Sequence, residues 1–392
     1  MSDNFSIYIH FPFCERKCKY CNFYSLENKL QLIPQWTESL SRELEFYEEQ
    51  FQDKRLQTIY VGGGSPNLIP AESFEQIFSA LKDFTDLKYL KEFTVEINPN
   101  NIKDRLLLTM RNNGVDRISI GAQSFFQDEL NVLGRLHTSN QITQAVARVK
   151  NFNFPRISLD FIFGIPGQSL NTWRTTLEQA VNTGVEHLSL YNLSYEPGTL
   201  LTQNIKNGHI NALDEDLEWK MYKQAHDYLE RQGFEHYEIS SWAKPKARSI
   251  HNQTYWNGTD YLGLGPAAHS YYSRIRRWNS ADLQNYIDNL SKNQWPPFEE
   301  EEIDDYKYRL EKLFLSLRTN QGINLSELSD LYLIPEKSIK TIVDKEVGYR
   351  KNNLVVFSKN NLKLSLRGWF LSNSIIASLA SKFDSYEKGD QP

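Results

Sequence analysis

From Phe5 to about residue 240 the chain alternates short apolar runs with stretches whose apolar residues recur at helical spacing. Ser6–Phe11 is the first run. Gln35–Phe51 follows, with Trp36, Leu40, Leu44 and Tyr47 on one helical face. Gln57–Val61 reads as a buried strand ending in Gly62-Gly63-Gly64, and Ser73–Phe84 as a helix. The pattern predicts further strands over Phe93–Ile97, Asp116–Gly121, Ile157–Ile162 and His187–Tyr191. It predicts helices over Asp104–Asn112, Gln127–Leu133, Gln141–Asn151, Leu170–Thr183 and Asp214–Gln232. Near-continuous apolar strands alternating with helices indicate a parallel sheet covered by helices. Six strand–helix repeats predict an α/β fold, a partial, open (β/α)6 barrel. Polar and glycine residues gather at the strand ends, at Gly62, Glu96, Gln123, Asp160 and Ser194, where a barrel of this kind carries its site.

Near His251 the alternation stops. His251–Trp278 is rich in Gly, Tyr and Trp and shows no clear period, and Asn293–Pro297 reads as a linker. The acidic run Glu299–Glu302, with Asp304 and Asp305, precedes a helix over Tyr306–Leu317. It is expected to be a solvated helix N-terminus favoured by the helix dipole. Short helices at Leu325–Leu331 and Glu336–Lys345, a hairpin of Leu354–Phe357 and Leu362–Leu364, and a last helix over Arg367–Ser381 predict a smaller C-terminal α+β, winged-helix-like domain. The expected division is a core over 1–245, a connecting segment over 246–298 and a C-terminal domain over 299–392.

Composition narrows the function classes. Hydrophobic residues at 40% and charged residues at 24% suit a globular chain with a sizeable core. A net charge of -5 argues against a general nucleic-acid binder, so the C-terminal domain is expected to be a lid or a partner surface. There is no apolar run of about eighteen residues to span a membrane. Met1–Asn4 lacks the basic and apolar segments of a signal peptide, and a cytoplasmic location is expected.

All three cysteines of the 392 residues lie in one stretch, Cys14-x3-Cys18-x2-Cys21. A disulfide framework wants an even number and an oxidising compartment. A closed zinc site wants four ligands and would have to recruit His10. Three thiolates suit a [4Fe-4S] cluster better, leaving one iron free to bind something else. The spacing, with Tyr20 just ahead of the third cysteine, resembles the motif of the radical SAM proteins. In them the open iron chelates the amino and carboxylate groups of S-adenosylmethionine (SAM).

Other segments add to this. Gly62-Gly63-Gly64-Ser65-Pro66 follows a strand, and its glycines let the backbone approach a ligand; on its own such a turn is common. Here it resembles the radical SAM glycine motif that receives the methionyl ammonium. Glu96 ends a strand where a carboxylate can meet ribose hydroxyls or an ammonium, with a solvated loop residue as the plainer reading. Asp160 on an apolar run needs a partner, and an internal ion pair would serve as well as a ribose.

The Tyr8-x-His10-x-Pro12-Phe13-Cys14 start, with GGGSP, EINP, GAQSF, GRLH and DFIFGIPGQ, resembles the oxygen-independent coproporphyrinogen III dehydrogenase (HemN) family and its HemW haem-chaperone branch, from about Ser6 to Arg367. The resemblance implies cluster ligation by Cys14, Cys18 and Cys21. It implies a SAM site lined by Tyr8, Tyr20, Gly63, Gly64, Ser65, Glu96, Gln123, Arg135 and Asp160, with Arg135 toward the SAM carboxylate. Two departures favour the chaperone branch: Phe23 stands where HemN has a further cysteine, and only seven residues precede Tyr8. His251-Asn252-x-x-Tyr255-Trp256 matches that branch's H-N-x-x-Y-W motif. Imidazole is a common axial ligand of haem iron and flanking aromatics can pack on a porphyrin; from spacing alone, a turn-capping histidine with core aromatics is the plainer account. His251, Asn252, Tyr255 and Trp256 are thus expected at a haem site, with His269 as a second candidate ligand.

The expected function is a haem chaperone that carries a [4Fe-4S] cluster and SAM and delivers haem to haemoproteins. Oxidative decarboxylation of coproporphyrinogen III is the alternative, and radical SAM modification of tRNA a third. The expected partners are haem, recipient haemoproteins and, if SAM is cleaved, an electron donor. A homodimer or a peripheral membrane contact would be consistent with the aromatic content of 13%. Nucleic acid is not an expected partner.

Overall fold

The computed structural model describes residues 3–345 and 353–387. Met1, Ser2 and, within the expected C-terminal domain, residues 346–352 and 388–392 lie outside the described residues. Strands β1 (Asn4–Phe11), β2 (Arg55–Gly63), β3 (Glu92–Ile97), β4 (Arg117–Gln123), β5 (Arg156–Phe163) and β6 (His187–Asn192) lie side by side in chain order, all parallel. Helices at Ile33–Glu45, Ala71–Phe84, Asp104–Asn112, Ser139–Asn151, Leu170–Asn182 and Glu215–Arg231 connect and cover them. This is the expected partial (β/α)6 barrel.

Outward strand residues such as Ile7, Ile59, Val95, Ile118, Leu159 and Leu188 are buried in one continuous apolar core beneath the helices. The alternate positions are small and polar. Ser6, Thr58, Thr94, Ser119, Ser158 and His187 are all buried, and some bond to their partners on the neighbouring strand: Thr58 Oγ1 to Ser6 Oγ at 2.8 Å, and Ser158 Oγ with His187 Nδ1 at 2.6 Å. Successive side chains of a strand face opposite ways, so each run that reads as apolar carries a polar inner row.

Beyond β6 the sheet continues antiparallel with β7 (Glu235–Glu238) and β8 (Ser241–Ala243). Beyond β1 it continues with β9 (Asp260–Leu264), parallel to β1, and then β10 (His269–Tyr272), β11 (Ile275–Asn279) and β12 (Phe298–Glu302), antiparallel. The stretch without a clear period is thus a short helix, Ile250–Asn257, followed by three strands. Its strands are only four or five residues long, too short to display one. Two findings correct the sequence expectations. The run Glu299–Glu302 is edge strand β12, not a helix N-terminus: Arg276 and Arg277 stand opposite Glu301 and Glu300, and opposite charges across a ladder stabilise the pair. The helix begins at Asp305, capped by Asp304, which accepts Lys307 N–H at 2.8 Å. Asn293–Pro297 is not a free linker either. Trp295 packs against Phe46 with ring centres 4.5 Å apart and planes tilted by 35°, and the Arg277 guanidinium lies 4.1 Å from its ring centre.

A short helix, Ile250–Asn257, closes the base of the lumen. Its N-terminus sits on Glu92, which accepts from Ser249 Oγ at 3.1 Å and from the N–H groups of Ile250 and His251, each at 3.0 Å. A carboxylate at the first turn satisfies orphan donors and complements the helix dipole. Arg117 and Arg156 neutralise the same carboxylate at 3.0 and 3.2 Å.

Helices Asp305–Ser316, Leu325–Tyr332 and Glu336–Lys345 form the smaller C-terminal unit. With them go β13 (Ile323–Asn324), the hairpin of β14 (Val355–Ser358) and β15 (Asn361–Leu364), and the closing helices Leu366–Phe370 and Ser372–Glu387. Helices followed by a small wing-like sheet match the expected winged-helix-like arrangement. Among the described residues no helix is long and apolar enough to cross a membrane.

Candidate functional site

A cleft of about 420 Å³ opens at the C-terminal ends of β2–β6. Cys14, Cys18 and Cys21 line it, as do Tyr20, Gly63, Gly64, Ser65, Glu96, Gln123, Arg135 and Asp160. Of the residues expected around SAM, only Tyr8 is set back from the cleft. It lies in the lumen behind Tyr60, with its hydroxyl 3.1 Å from His10 Nδ1 and the two tyrosine rings 6.1 Å apart.

The cysteine loop is held by backbone bonds. Cys14 N–H donates to Leu26 O at 3.0 Å, Leu26 N–H to Pro12 O at 2.7 Å, and Lys19 N–H to Leu133 O at 3.0 Å. The glycine segment prolongs the β1–β2 ladder under it, through Gly64 N–H to Phe11 O at 2.7 Å and Ser65 N–H to Phe13 O at 2.8 Å. A side chain at Gly64 would run into both carbonyls, so the loop and the glycine segment can meet this closely only through a glycine. Gly63 has φ +105°, and its N–H reaches Glu96 Oε2 at 3.3 Å.

All three thiols are half-buried and free of disulfides. Burial pushes the Cys14 and Cys21 thiols up, the first partly offset by the Ser65 hydroxyl 3.7 Å from its sulfur. Bare thiols there would stay protonated, whereas iron ligation takes the thiolate. Arg135 completes the set. Its Nη1 lies 3.4 Å from Cys18 Sγ, its Nη2 donates to Gly121 O at 2.9 Å and bonds Asn98 Oδ1, and its buried Nε has no hydrogen-bond partner among the described residues. A buried guanidinium with a spare donor beside three thiols fits an anionic group in the cleft. Among the described residues, no three His, Cys, Asp or Glu side chains converge as one metal ion would need. A cluster instead takes each thiolate on its own iron, and the donor set here fits that.

Two carboxyls face the cleft. Glu96 accepts Tyr60 OH at 2.7 Å, and burial raises its pKa to about 7. Asp160 accepts Ser119 Oγ at 2.7 Å, and burial raises it to about 6. Neither has a salt-bridge partner among the described residues, so the internal ion pair weighed for Asp160 is not formed. Gln123 sits at a register break between β4 and β5 with φ +65°, which turns it toward the cleft mouth. Gln168, in the DFIFGIPGQ string, is a brace: its Oε1 accepts Gly164 N–H at 2.9 Å, and its Nε2 donates to buried Glu129 at 3.0 Å.

Tyr60, Asn98, His137 and Tyr191, none of them expected from the sequence, also line the cleft. Tyr60 stands two residues before Gly62, and strand alternation alone puts it on the inner face. His137 donates from Nε2 to Ala122 O at 3.0 Å, since a carbonyl only accepts, and burial lowers its pKa to about 3, so it is a neutral ring.

The H-N-x-x-Y-W residues are elsewhere, on the helix that closes the lumen. His251 is 1% exposed. Its Nδ1 lies 2.7 Å from Thr58 Oγ1 and its Nε2 2.9 Å from Tyr255 OH, so both ring nitrogens are engaged inside the protein. Asn252, Tyr255 and Trp256 are partly buried on the same helix. His269 is exposed at the start of β10, with its ring stacked on Trp278 at 5.7 Å and 20°.

The family model of the radical SAM superfamily matches residues 8–180. A protein of Lactococcus lactis named heme chaperone HemW is 30% identical over 94% of this chain and 96% of its own length. A protein of Bacillus subtilis with the same name is 30% identical over 94% and 97%. Among solved structures, coproporphyrinogen III oxidase (HemN) of Escherichia coli, described as a radical SAM enzyme, superimposes with a TM-score of 0.81. The match covers 98% of this chain and 91% of that one at 18% identity, a likeness of fold.

Proposed function

This chain belongs to the HemW-like radical SAM family, and from that membership we propose that it is a haem chaperone: it binds haem and hands it to recipient haemoproteins. The observation that carries the reading is the full-length match to the chaperones, 30% identical over 94% of this chain. The division of labour proposed is a core over residues 1–245 for cluster and SAM, a haem-facing segment over 246–298, and the C-terminal unit from 299 as a lid or partner surface.

Cys14, Cys18 and Cys21 would hold a [4Fe-4S] cluster, which when bound would supply a binding site for SAM and the electron for its cleavage. The residues of the chain do the rest. Arg135 balances thiolate charge at Cys18 and offers its free Nε–H to an anion. Gly63 and Gly64 let the β2 end pack against His10 and the cysteine loop at the cleft wall, and Glu96 and Asp160 offer carboxylates to an ammonium or to ribose hydroxyls. Buried Leu133, Ile162, Ile165 and Leu193, packed around Tyr20, keep water from that wall. Of the two imidazoles expected near haem, His269 is exposed and flat against Trp278, whereas His251 would have to give up two hydrogen bonds and its burial. We therefore favour His269 as the haem-facing ligand.

The test is an anaerobic pair of assays on protein with its cluster reconstituted. Haem is titrated into wild type, His269→Ala and His251→Ala, and coproporphyrinogen turnover is tried with SAM and a reductant. Haem retention without turnover, weakened by His269→Ala, and onward transfer to an apo-haemoprotein support the proposal. Turnover to protoporphyrinogen overturns it in favour of the decarboxylase.

A further inference from the structure

His251 lies beneath the cleft in a chain of contacts that ends on a cleft carboxylate. Strand β2 presents Thr58, Tyr60 and Gly62 to the lumen in alternate positions. The His251 imidazole touches the first two: its Nδ1 bonds the Thr58 hydroxyl at 2.7 Å, and its ring stands 4.9 Å from the Tyr60 ring at 31°. Tyr60 carries the contact upward through its hydroxyl, which donates to Glu96 Oε1 at 2.7 Å. Among the described residues the other hydrogen bond to that carboxylate is the longer one from Gly63 N–H, at 3.3 Å.

We infer that His251 is a positioning residue for the SAM cleft: its ring fixes Tyr60, and Tyr60 fixes Glu96. The inference rests on the assignment of the cleft to SAM. Imidazole suits the post because its two nitrogens meet the hydroxyls of Thr58 and Tyr255; a hydrocarbon would offer neither a partner, leaving Thr58 with its bond to Ser6 alone and the Tyr255 hydroxyl without the bond it makes here. The helix beneath cannot slide without breaking the Glu92 bonds at its N-terminus, so the ring has a rigid base. Burial holds the imidazole at a pKa of about 4, and the prop adds no charge below Glu96. The H-N-x-x-Y-W motif thus carries a role in SAM binding that is separate from haem ligation.

The experiment is a double-mutant cycle on anaerobically reconstituted protein, read as SAM affinity by equilibrium dialysis, with iron content and haem titration in parallel. Tyr60→Phe keeps the ring on His251 and removes the bond to Glu96; it should weaken SAM binding about ten-fold, the order expected for a lost hydrogen bond to a charged group. His251→Ala should cost a similar factor with iron content unchanged. The double variant should be little worse than either single one, because the residues act in series. If His251→Ala does not fold, His251→Gln takes its place with a smaller loss, its amide bridging the two hydroxyls. Multiplying losses, or SAM affinity unchanged while haem binding disappears, would overturn the inference and return His251 to the haem site. A wild-type protein that binds no SAM would overturn the cleft assignment itself; unchanged affinity in variants of a SAM-binding wild type would overturn only the coupling.

Discussion

The Glu92 carboxylate accepts the His251 backbone N–H at 3.0 Å across 159 positions of sequence, fastening the closing helix to the barrel floor. Burial pushes this carboxyl up, but Arg117, the His251 and Ile250 N–H groups and Arg156 together hold it below the ordinary glutamate value. Its contribution is therefore present above the unfolded pKa and is lost as acid drives the pH down through the folded one. Glu92→Gln leaves the buried Arg117 guanidinium without its counter-charge. It should destabilise the protein by about 3–5 kcal/mol, the usual cost of breaking a buried pair from one side. Denaturant unfolding at neutral pH checks this, and a difference near zero would mean that the floor is held by packing alone.

Iron removal should leave the barrel standing. The cysteine loop is tied by its own backbone to Leu26, Pro12 and Leu133, and the three thiols sit at the rim rather than in the core. Cys14→Ser, or chelation of the iron, should abolish SAM binding while far-ultraviolet circular dichroism stays native and the melting temperature shifts by only a few degrees. Collapse of the fold on iron loss would show that the cluster is structural.

SAM binding should depend on pH through the two cleft carboxyls. Burial raises Glu96 to about 7 and Asp160 to about 6. A cationic ligand favours their ionised forms, so affinity should fall as pH drops from 8 to 6, approaching ten-fold per pH unit below the pKa values. Glu96→Gln should bind more weakly at pH 8 and lose the upper part of the profile. An affinity that is flat over this range in wild type would mean that neither carboxylate meets the cationic end of the ligand.

Periodicity made the barrel legible, because each parallel strand is apolar enough to stand out between helices. The cysteine loop, Gly63, Gly64, Ser65 and Arg135 were legible as a local motif, and they do meet in one cleft. The lumen was not. Ser6, Thr58, Ser119 and Ser158 look incidental within apolar runs, and only the sheet register shows them facing one another. Glu92 sits at the start of a strand, where a charge usually signals solvent; its partners lie 25, 64 and more than 150 positions away. The acidic strand β12 misled for a related reason. Four consecutive glutamates favour a helix start until the arginines of β11, far back in the sequence, are set against them. Sequence spacing locates a motif, but it does not reveal which distant charge balances it.

Glu238 offers a test where the barrel edge meets the C-terminal unit. It ends β7 and pairs with Thr319, while Ile239 N–H donates to Arg318 O at 2.9 Å and Asn320 N–H to Tyr237 O at 3.0 Å, so the junction runs through its backbone. Burial raises its carboxyl to about 7, against the opposing hydrogen bonds of Ser241 and Ser240 N–H and the Arg318 charge. A raised carboxyl binds its proton more tightly folded than unfolded. The stability tied to it is thus fully present below the unfolded value near 4.5 and is lost as pH rises through about 7. Glu238→Gln keeps an acceptor for the Ser240 N–H and cannot ionise. The variant should match wild type at pH 4.5 and exceed it at pH 8.5 by up to about 3 kcal/mol, read as the difference between their unfolding free energies, which cancels the other carboxyls. Parallel curves for the two proteins would show that Arg318 compensates the charge fully and that the junction does not respond to pH.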